Sequence, residues 1–425
     1  MLIRFEMENY RSFYDKVCYV SESRNKASNS ELHYLNTFDN DRTKENYVKS
    51  SLLIGKNAGG KSNFVYGFKD FILMMINSFR RTEQIKQVQP FRLIPNNEKP
   101  TSFLCEFLEQ DNWYRYQFMV RQNKVVSEKL ETKVSSWTTI FERQSPEFES
   151  IQFPNKYKSQ FAKLIEHTKE NVLFLSVLFQ FNVDFVVDII EYFATNYTVV
   201  TPNSIYRNHG VTDTADIIRD EKHILRDRVL DFIKQSDFGI SDIHAKVETI
   251  EKNEVFEKIR AFIQENDLGP IDTPEEFVSL YFEHGVFDSL SDCKGSYAFD
   301  SDFISDGTNR MVSLAGAIFY TLHIGGVLVI DEIEHKLHHL LVKRIVDMFN
   351  SIDINDKNAQ LIFTSHDLLL LEEDIRRDQI WIVDKDECNK SRMYNLLDIP
   401  GVTKRTNILK QYLLGIYRGL PELEI

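Results

Sequence analysis

SSLLIGKNAGGKSNF, residues 50–64, sets a short apolar run before a glycine-rich loop and opens an apolar-periodic segment behind it. Gly55, Gly60, Lys61 and Ser62 fill every fixed position of the phosphate-loop pattern. Each fixed residue type has a physical task. Glycines let the backbone curl until successive N–H groups face one phosphate, Lys61 brings a point charge to the outer phosphates, and Ser62 offers a hydroxyl to Mg²⁺. Gly55, Lys56, Asn57, Ala58, Gly59, Gly60, Lys61, Ser62 and Asn63 are therefore the candidate nucleotide-binding residues. Ser51 to Ile54 read as a buried strand, and Asn63 onward (NFVYGFKDFILMMINSF) as a helix, which is the order such a loop needs. A plain glycine turn between strand and helix would not require the Lys-Ser pair.

Two more segments bear the same kind of chemistry. GGVLVIDEIEHKLHHLL, residues 325–341, runs a hydrophobic strand into Asp331-Glu332. An aspartate at a strand end beside a phosphate loop can hold Mg²⁺ through water, and the next glutamate can polarise an attacking water. Asp331 joins Ser62 as a candidate metal residue, and Glu332 is the candidate general base. Taken alone, the same pair would also serve to cap a following helix. QLIFTSHDLLLLE, residues 360–372, is a second buried strand that ends in Thr364-Ser365-His366-Asp367. Ligands bind at the carboxyl ends of parallel strands, so His366 is a candidate to bond a γ-phosphate or orient water there. FISDGTNRMVSLAGAIFY, residues 303–320, puts Ser305, Asp306, Gly307 and Thr308 ahead of an apolar-periodic helix. A hydroxyl and backbone N–H groups then meet at a helix N-terminus.

Composition narrows the class. A chain of 425 residues can hold two or three domains, and its mixture is that of a soluble globular protein. The most apolar stretches, Phe68–Ile76 and Val327–Ile330, are too short or interrupted to span a bilayer, and Met1-Leu2-Ile3-Arg4 does not open a signal peptide. The expectation is a cytoplasmic protein without membrane contact. Cys18, Cys105, Cys293 and Cys388 lie far apart with no C-x-x-C pair, so the reading is reduced, structural thiols. A net charge of −13 opposes general polyanion binding. Arg80-Arg81 and Arg376-Arg377 leave DNA contact possible but not indicated.

Along the chain, residues 1–20 alternate as strand, turn, strand. From Pro90 to Phe148, SFLCEFLE, WYRYQFMV, KVVSEKLETKV and TTIFER are separated by Asp111-Asn112 and Gln122-Asn123, which predicts an antiparallel meander. Lys156 to Ser236 carries apolar residues three and four apart and predicts helices. DIHAKVETIE, a short helix at Val255–Glu265 and strand-like EFVSLYFEHG follow, before α/β texture returns past residue 300.

In this order the pieces resemble the ABC-type ATPase head, and more closely the AAA-type ATP-binding proteins of the OLD-like and SMC-like branch found in phage-defence systems. LIRFEMENYRSF, residues 2–13, resembles that family's first strand and its Asn-aromatic-basic-Ser-Phe turn, which lies near adenine and phosphates and makes Arg11 a nucleotide-binding candidate. FISDGTNRM resembles its signature, IDEIEHKLHHLL its acidic strand with a Leu-His pair, and YLLGIYRGLPEL, residues 412–423, its closing segment. The resemblance implies an α/β fold, an ABC-type P-loop ATPase head with an antiparallel β lobe and a helical insertion. Residues 1–150 would be the N-terminal part of the head, 151–290 a mainly helical insertion for dimerisation or partner binding, and 291–425 the C-terminal part with signature, Walker B strand and switch histidine.

It further implies ATP and Mg²⁺, slow hydrolysis, and a dimer or larger homo-oligomer. In such heads Ser305, Asp306 and Gly307 would reach the γ-phosphate from a second protomer. Thr308-Asn309-Arg310 departs from the Gly-rich, Gln-followed ABC signature, and Gln87 and Gln89 are the weak choices for a Q-loop glutamine. Too few residues follow His366 for a Toprim nuclease, so a nuclease or toxin effector would be a separate chain. Asp384 and Asp386 spell D-x-D, in a strand read as closing the ATPase sheet with a charged hairpin. The resulting expectation is the ATPase switch or sensor subunit of an anti-phage, abortive-infection system. The alternative is an SMC-like DNA-binding or DNA-repair ATPase, which long heptad arms would favour and which this sequence lacks. A transporter subunit fits the signature and β lobe poorly, and a hexameric AAA+ motor would show a sensor arginine region.

Overall fold

The computed structural model describes residues 1–24, 35–40, 43–81, 83–144, 151–202, 204–206, 214–236, 239–249, 276–287, 293–403 and 405–419. The predicted helix at Val255–Glu265 and the end of the closing segment lie outside them. Two compact units form, one from Met1–Val211 with Thr321–Ile425, the other from Thr212–Tyr320.

The first unit begins with β1 (Leu2–Glu8) and β2 (Val17–Val20), then a hairpin of β3 (Leu35–Asn40) and β4 (Thr43–Val48), and β5 (Ser50–Ile54). Next come β6 (Thr101–Glu109), β7 (Asn112–Arg121), β8 (Lys124–Lys133), β9 (Trp137–Gln144) and β10 (Ile151–Gln152). Of these, β6 to β9 form the expected meander, β10 adds a short strand at its edge, and β1 and β2 extend it into one antiparallel sheet ordered β10-β9-β8-β7-β6-β1-β2. At the β7–β8 turn, Gln122 and Asn123 have φ of 50° and 63°. Two successive positive φ values match the strand twist, which is why a two-residue turn suffices there.

The second sheet carries the phosphate loop. It contains β5 with β11 (Tyr197–Thr201), β12 (Ser204–Tyr206), β16 (Val327–Ile330), β17 (Gln360–Ser365), β18 (Ile380–Lys385) and β19 (Ser391–Asn395), ordered β12-β11-β16-β17-β5-β18-β19. From β11 to β18 all neighbours are parallel, and an antiparallel strand closes each edge. Every residue of β5, β11, β16 and β17 is buried, as expected of a parallel sheet covered on both faces. Parallel pairing sends the carboxyl ends of β5, β16, β17 and β18 to one side, so the loop, the acidic pair and the histidine emerge together.

The helix Lys61–Asn77 fills the space between the sheets. Phe64, Phe68 and Phe71, spaced four and three apart, all meet Phe5 of β1, with ring centroids 5.7, 5.0 and 5.7 Å away. On the other side Phe68 lies 5.7 Å from Tyr197 of β11. Each fully buried phenylalanine contributes about 2–3 kcal/mol of transfer free energy, so this row fixes where the helix, and hence the loop ahead of it, sits. Gln360 adds a polar tie, accepting from Leu2 N at 2.7 Å and donating to Leu2 O at 3.1 Å, which pins β1 to the base of β17.

The predicted helical insertion is realised differently. Lys158–Phe161, Phe174–Gln180 and Asp184–Asn196 are helices, but they belong to the first unit, and the chain then enters the parallel sheet as β11. Tyr197-Thr198-Val199-Val200-Thr201 is a short β-branched run that the helical pattern before it masks. The observed division therefore falls at 212 and 320, where the sequence texture places it at 150 and 290. The second unit is also half sheet: helices Thr214–Arg219 and Arg226–Lys234 accompany β13 (Ile240–Thr249), β14 (Glu276–Phe287) and β15 (Cys293–Asp300) in antiparallel order. Most of helix Asp306–Ile324 lies in it, and Thr214 Oγ1 donates to Val312 O at 2.6 Å. No described helix is long and apolar enough to cross a membrane.

Candidate functional site

At the carboxyl end of β5 the backbone turns so tightly that side chains are excluded. A Cβ on Gly55 would lie 1.8 Å from Val383 O of β18. Gly60 has φ of +122°, and a Cβ there would meet Ser391 Oγ at 2.4 Å. The second glycine of the motif thus serves both a left-handed backbone and a close neighbour. Ser391, at the start of β19, ties the loop down through hydrogen bonds to Gly59 O at 2.6 Å and Ser12 Oγ at 2.7 Å. Asn63 Nδ2 donates to the same Ser12 Oγ at 2.7 Å. Ser12 belongs to the Asn9–Phe13 turn, so that turn acts on the loop through its serine.

Lys61 heads the helix, buried, with Nζ donating to Gly55 O at 2.7 Å and Lys56 O at 3.2 Å and lying 3.4 Å from His366 Nδ1. Burial pulls its ammonium down to about 8, against the raising fields of Glu334, Asp331 and Glu332. Burial and the nearby Lys61 charge hold His366 below the ordinary imidazole value, although the carboxylates oppose them. With Lys61 as donor, Nδ1 of a neutral His366 accepts and its proton sits on Nε2.

β16 delivers Asp331, which is buried, and its carboxyl is raised by burial despite hydrogen bonds from Thr364 and Ser62 and the field of Lys61. Thr364 Oγ1 donates to Asp331 Oδ1 at 2.7 Å and accepts from Glu332 N at 2.7 Å. One hydroxyl on β17 therefore orients both members of the acidic pair. Glu332 itself has φ of 52°, an uncommon left-handed value that turns the chain at the strand end. Ser62 and Asp331 together offer a hydroxyl and a carboxylate oxygen, the hard donors that suit Mg²⁺ alongside phosphate oxygens and water. Among the described residues no group of three or more His, Cys, Asp or Glu side chains could hold a metal unaided.

A cavity of about 650 Å³ opens here, lined by Asn57 through Asn63 with Glu332, His366 and Lys385. The structure thus brings together Asn57, Ala58, Gly59, Gly60, Lys61, Ser62, Asn63, Glu332 and His366 at one opening, with Asp331 hydrogen-bonded to Ser62 beneath. Lys56 turns aside to pair with Asp384 at 3.3 Å. Arg11 is not among the lining residues; its guanidinium lies over the Tyr66 ring, 4.5 Å from the centroid. Ser305 caps its own helix, its Oγ accepting from Thr308 N at 3.2 Å and lying 2.8 Å from Thr308 Oγ1. Asp306 and Gly307 follow in the first turn of that helix, in the second compact unit.

Asp386 is engaged in its own turn, accepting from Cys388 N and Lys390 N at 2.9 Å each and pairing with Arg392 at 2.8 Å. This is the charged hairpin expected of the D-x-D strand. Arg376 is buried and paired with Asp378 at 2.7 Å, which removes it from any basic surface stripe. Thr364, Glu334 and Ser391 carry no motif of their own, because their partners lie far away in sequence, and Lys385 is marked only by its place at the end of β18. Ser12 stands in the Asn-aromatic-basic-Ser-Phe turn, and Thr364 stands two residues before the candidate histidine.

A family model described as "AAA domain, putative AbiEii toxin, Type IV TA system" matches residues 50–372. No curated protein matches the sequence. Solved structures with similarity include the SMC head domain from Thermotoga maritima, 11% identical with a TM-score of 0.40, covering 93% of this chain and 98% of that one. The Smc head domain of Pyrococcus furiosus, with an extended coiled coil and bound to the C-terminal domain of ScpA, is 13% identical with a TM-score of 0.39, covering 98% and 99%. The Smc head domain with a coiled coil and joint from Pyrococcus yayanosii is 10% identical with a TM-score of 0.40, covering 97% and 99%.

Proposed function

The chain belongs to the AAA-domain family whose model spans its phosphate loop, acidic strand and histidine strand, and on that premise we propose that it binds and slowly hydrolyses ATP as a switch. The observation that carries this reading is the convergence of the glycine loop, Lys61, Asp331, Glu332 and His366 at one cavity on the carboxyl side of a parallel sheet.

The residues divide the work as follows. Loop N–H groups cradle the phosphates, and Lys61 exchanges its two loop carbonyls for phosphate oxygens. Mg²⁺, held by Ser62 and Asp331, would neutralise charge on the β- and γ-phosphates. Glu332 takes a proton from water as the water oxygen bonds to the γ-phosphorus and the bond to the β,γ-bridging oxygen breaks, leaving ADP and phosphate. His366 offers Nε2–H to a γ-phosphate oxygen. Ser305, Asp306 and Gly307 of a second copy would complete the phosphate shell, so that ATP joins two protomers and hydrolysis releases them.

The family description names a type IV toxin–antitoxin system, which supports a place in a two-component system; the anti-phage role and the separate effector chain belong to this proposal. Lys61→Ala is expected to lose ATP binding in equilibrium titration. Glu332→Gln is expected to bind ATP, accumulate as dimer or larger oligomer in light scattering, and not hydrolyse. Undiminished hydrolysis by purified Glu332→Gln protein would overturn the assignment of the base.

A further inference from the structure

The acidic turn after β16 is joined to the end of β17 by a short ladder. Glu332 N donates to Thr364 Oγ1 at 2.7 Å, and Ile333 N donates to Thr364 O at 3.1 Å. A third rung reaches beyond the strand: His366 N donates to Glu334 Oε1 at 2.5 Å. The first two rungs fix Glu332 relative to the sheet. The third fixes the backbone of His366, the first residue past β17, relative to the acidic turn.

Among the described residues the Glu334 carboxylate has no competing hydrogen-bond donor. Its Oε2 is buried and meets none among the described residues, so the bond to His366 N is its directed contact. Charge-assisted bonds of this kind are about twice as strong as neutral ones, which suits a residue that must hold a loop. The ring thereby held lies with Nδ1 3.4 Å from Lys61 Nζ and lines the cavity. A shift of the His366 backbone would move that ring off the phosphate end of the site, and a misplacement of about 1 Å can cost about a hundredfold in rate.

We propose that Glu334 is a positioning residue for hydrolysis, acting through the His366 backbone to hold the imidazole against the Lys61 end of the cavity. It is distinct from Glu332, whose carboxylate lines the cavity directly. This rests on the ATPase reading above, and the experiment separates the two. Wild-type protein that neither binds nor hydrolyses ATP would defeat that reading. Given an active wild type, the full chain is compared with Glu334→Ala, Glu334→Gln, His366→Ala and the Glu334→Ala/His366→Ala double variant.

Glu334→Ala is expected to lower kcat by about tenfold or more with KM for ATP within about twofold, the signature of an interaction needed only for the chemical step. Glu334→Gln keeps an acceptor oxygen for His366 N and is expected to recover most of kcat. In the double variant the two losses should not add, because once the ring is gone its support has nothing to hold. Full additivity, an unchanged kcat in Glu334→Ala, or a Glu334→Gln variant as impaired as Glu334→Ala would overturn the proposal. Should Glu334→Ala fail to fold, the Glu334→Gln and Glu334→Gln/His366→Ala pair decides: kcat near wild type in the first and near His366→Ala in the second supports it, and any further loss overturns it.

Discussion

Two clusters of buried charge sit in the first compact unit and solve the problem of burial in opposite ways. In the β lobe, Glu128 and Arg143 have fully buried side chains 3.8 Å apart. Glu128 accepts from Tyr116 OH at 2.8 Å, Phe174 N at 2.7 Å and Leu175 N at 2.9 Å, and Arg143 donates to Val172 O at 2.8 Å. Around Lys61, the ammonium rests on two loop carbonyls, Asp331 is held by hydroxyls, and one oxygen of Glu334 has no described donor. Burial perturbs ionisation in both places, raising Glu128 and lowering Arg143 in one, lowering Lys61 to about 8 in the other. Perturbed ionisation therefore does not separate architecture from function. What separates them is that the first cluster, although Arg143 Nε also has no described acceptor, joins β8 and β9 to the helix Phe174–Gln180, whereas the second opens into a cavity at strand ends.

The largest expected contrast follows directly. Arg143→Met leaves Glu128 buried without its counter-charge and should cost about 3–5 kcal/mol in urea unfolding. Lys61→Met removes a desolvated ammonium that has no carboxylate within ion-pair distance in the described structure, so the nucleotide-free protein should be as stable as wild type or more so. Comparable losses in the two variants would erase the distinction between the clusters.

The sequence displays the second cluster and hides the first for a physical reason. A phosphate loop encodes its backbone path in adjacent glycines, and Lys61 and Ser62 stand beside them, so the whole device is local. Asp331 and His366 are likewise marked by the apolar strands that they terminate. Glu128 and Arg143 look like ordinary charges on alternating strands, and only the docking of a distant helix start makes them a pair. The same limit hid β11, whose five residues gain strand character from parallel pairing with β16, and the Ser12–Ser391 contact, which spans 379 positions. Arg11 shows the reverse: its motif position suggests the nucleotide, while the structure lays it on Tyr66.

A smaller effect tests how far the open cluster depends on architecture. Thr364→Val keeps volume but removes the donor to Asp331 and the acceptor for Glu332 N. Leaving buried polar groups unpaired costs about 1–3 kcal/mol, so unfolding should register a loss in that range. Nucleotide binding should survive, because Lys61 and the loop are untouched, and hydrolysis should fall more steeply than affinity. A variant with full turnover would show that the acidic pair orients itself without β17.

The smallest effect lies at the margin of the site, where the residue after His366 meets helix His339–Asn350. His339 Nδ1 is 2.5 Å from Asp367 Oδ2, and its Nε2 is 3.2 Å from Glu373 Oε1. Lys343 also reaches Glu373, at 3.1 Å. Burial works against the imidazolium, but the bonds and charges of Asp367 and Glu373 outweigh it and raise His339 above its ordinary value. Glu373 is lowered in return: burial opposes ionisation and the bonds from His339 and Lys343 overcome it. A raised histidine contributes stability in full below its unfolded value of about 6.5 and loses it as pH rises through the folded value, while a lowered glutamate contributes above its unfolded value and loses it on acidification. The pair is therefore intact between the two, from the carboxylate range to above the ordinary imidazole value. The stability gap between wild type and His339→Gln should be widest near pH 6 and should narrow as pH rises through the raised folded value. A gap that stays constant across that range would mean that His339 is held there by packing and that the margin of the site, like the Glu128–Arg143 pair, is architecture.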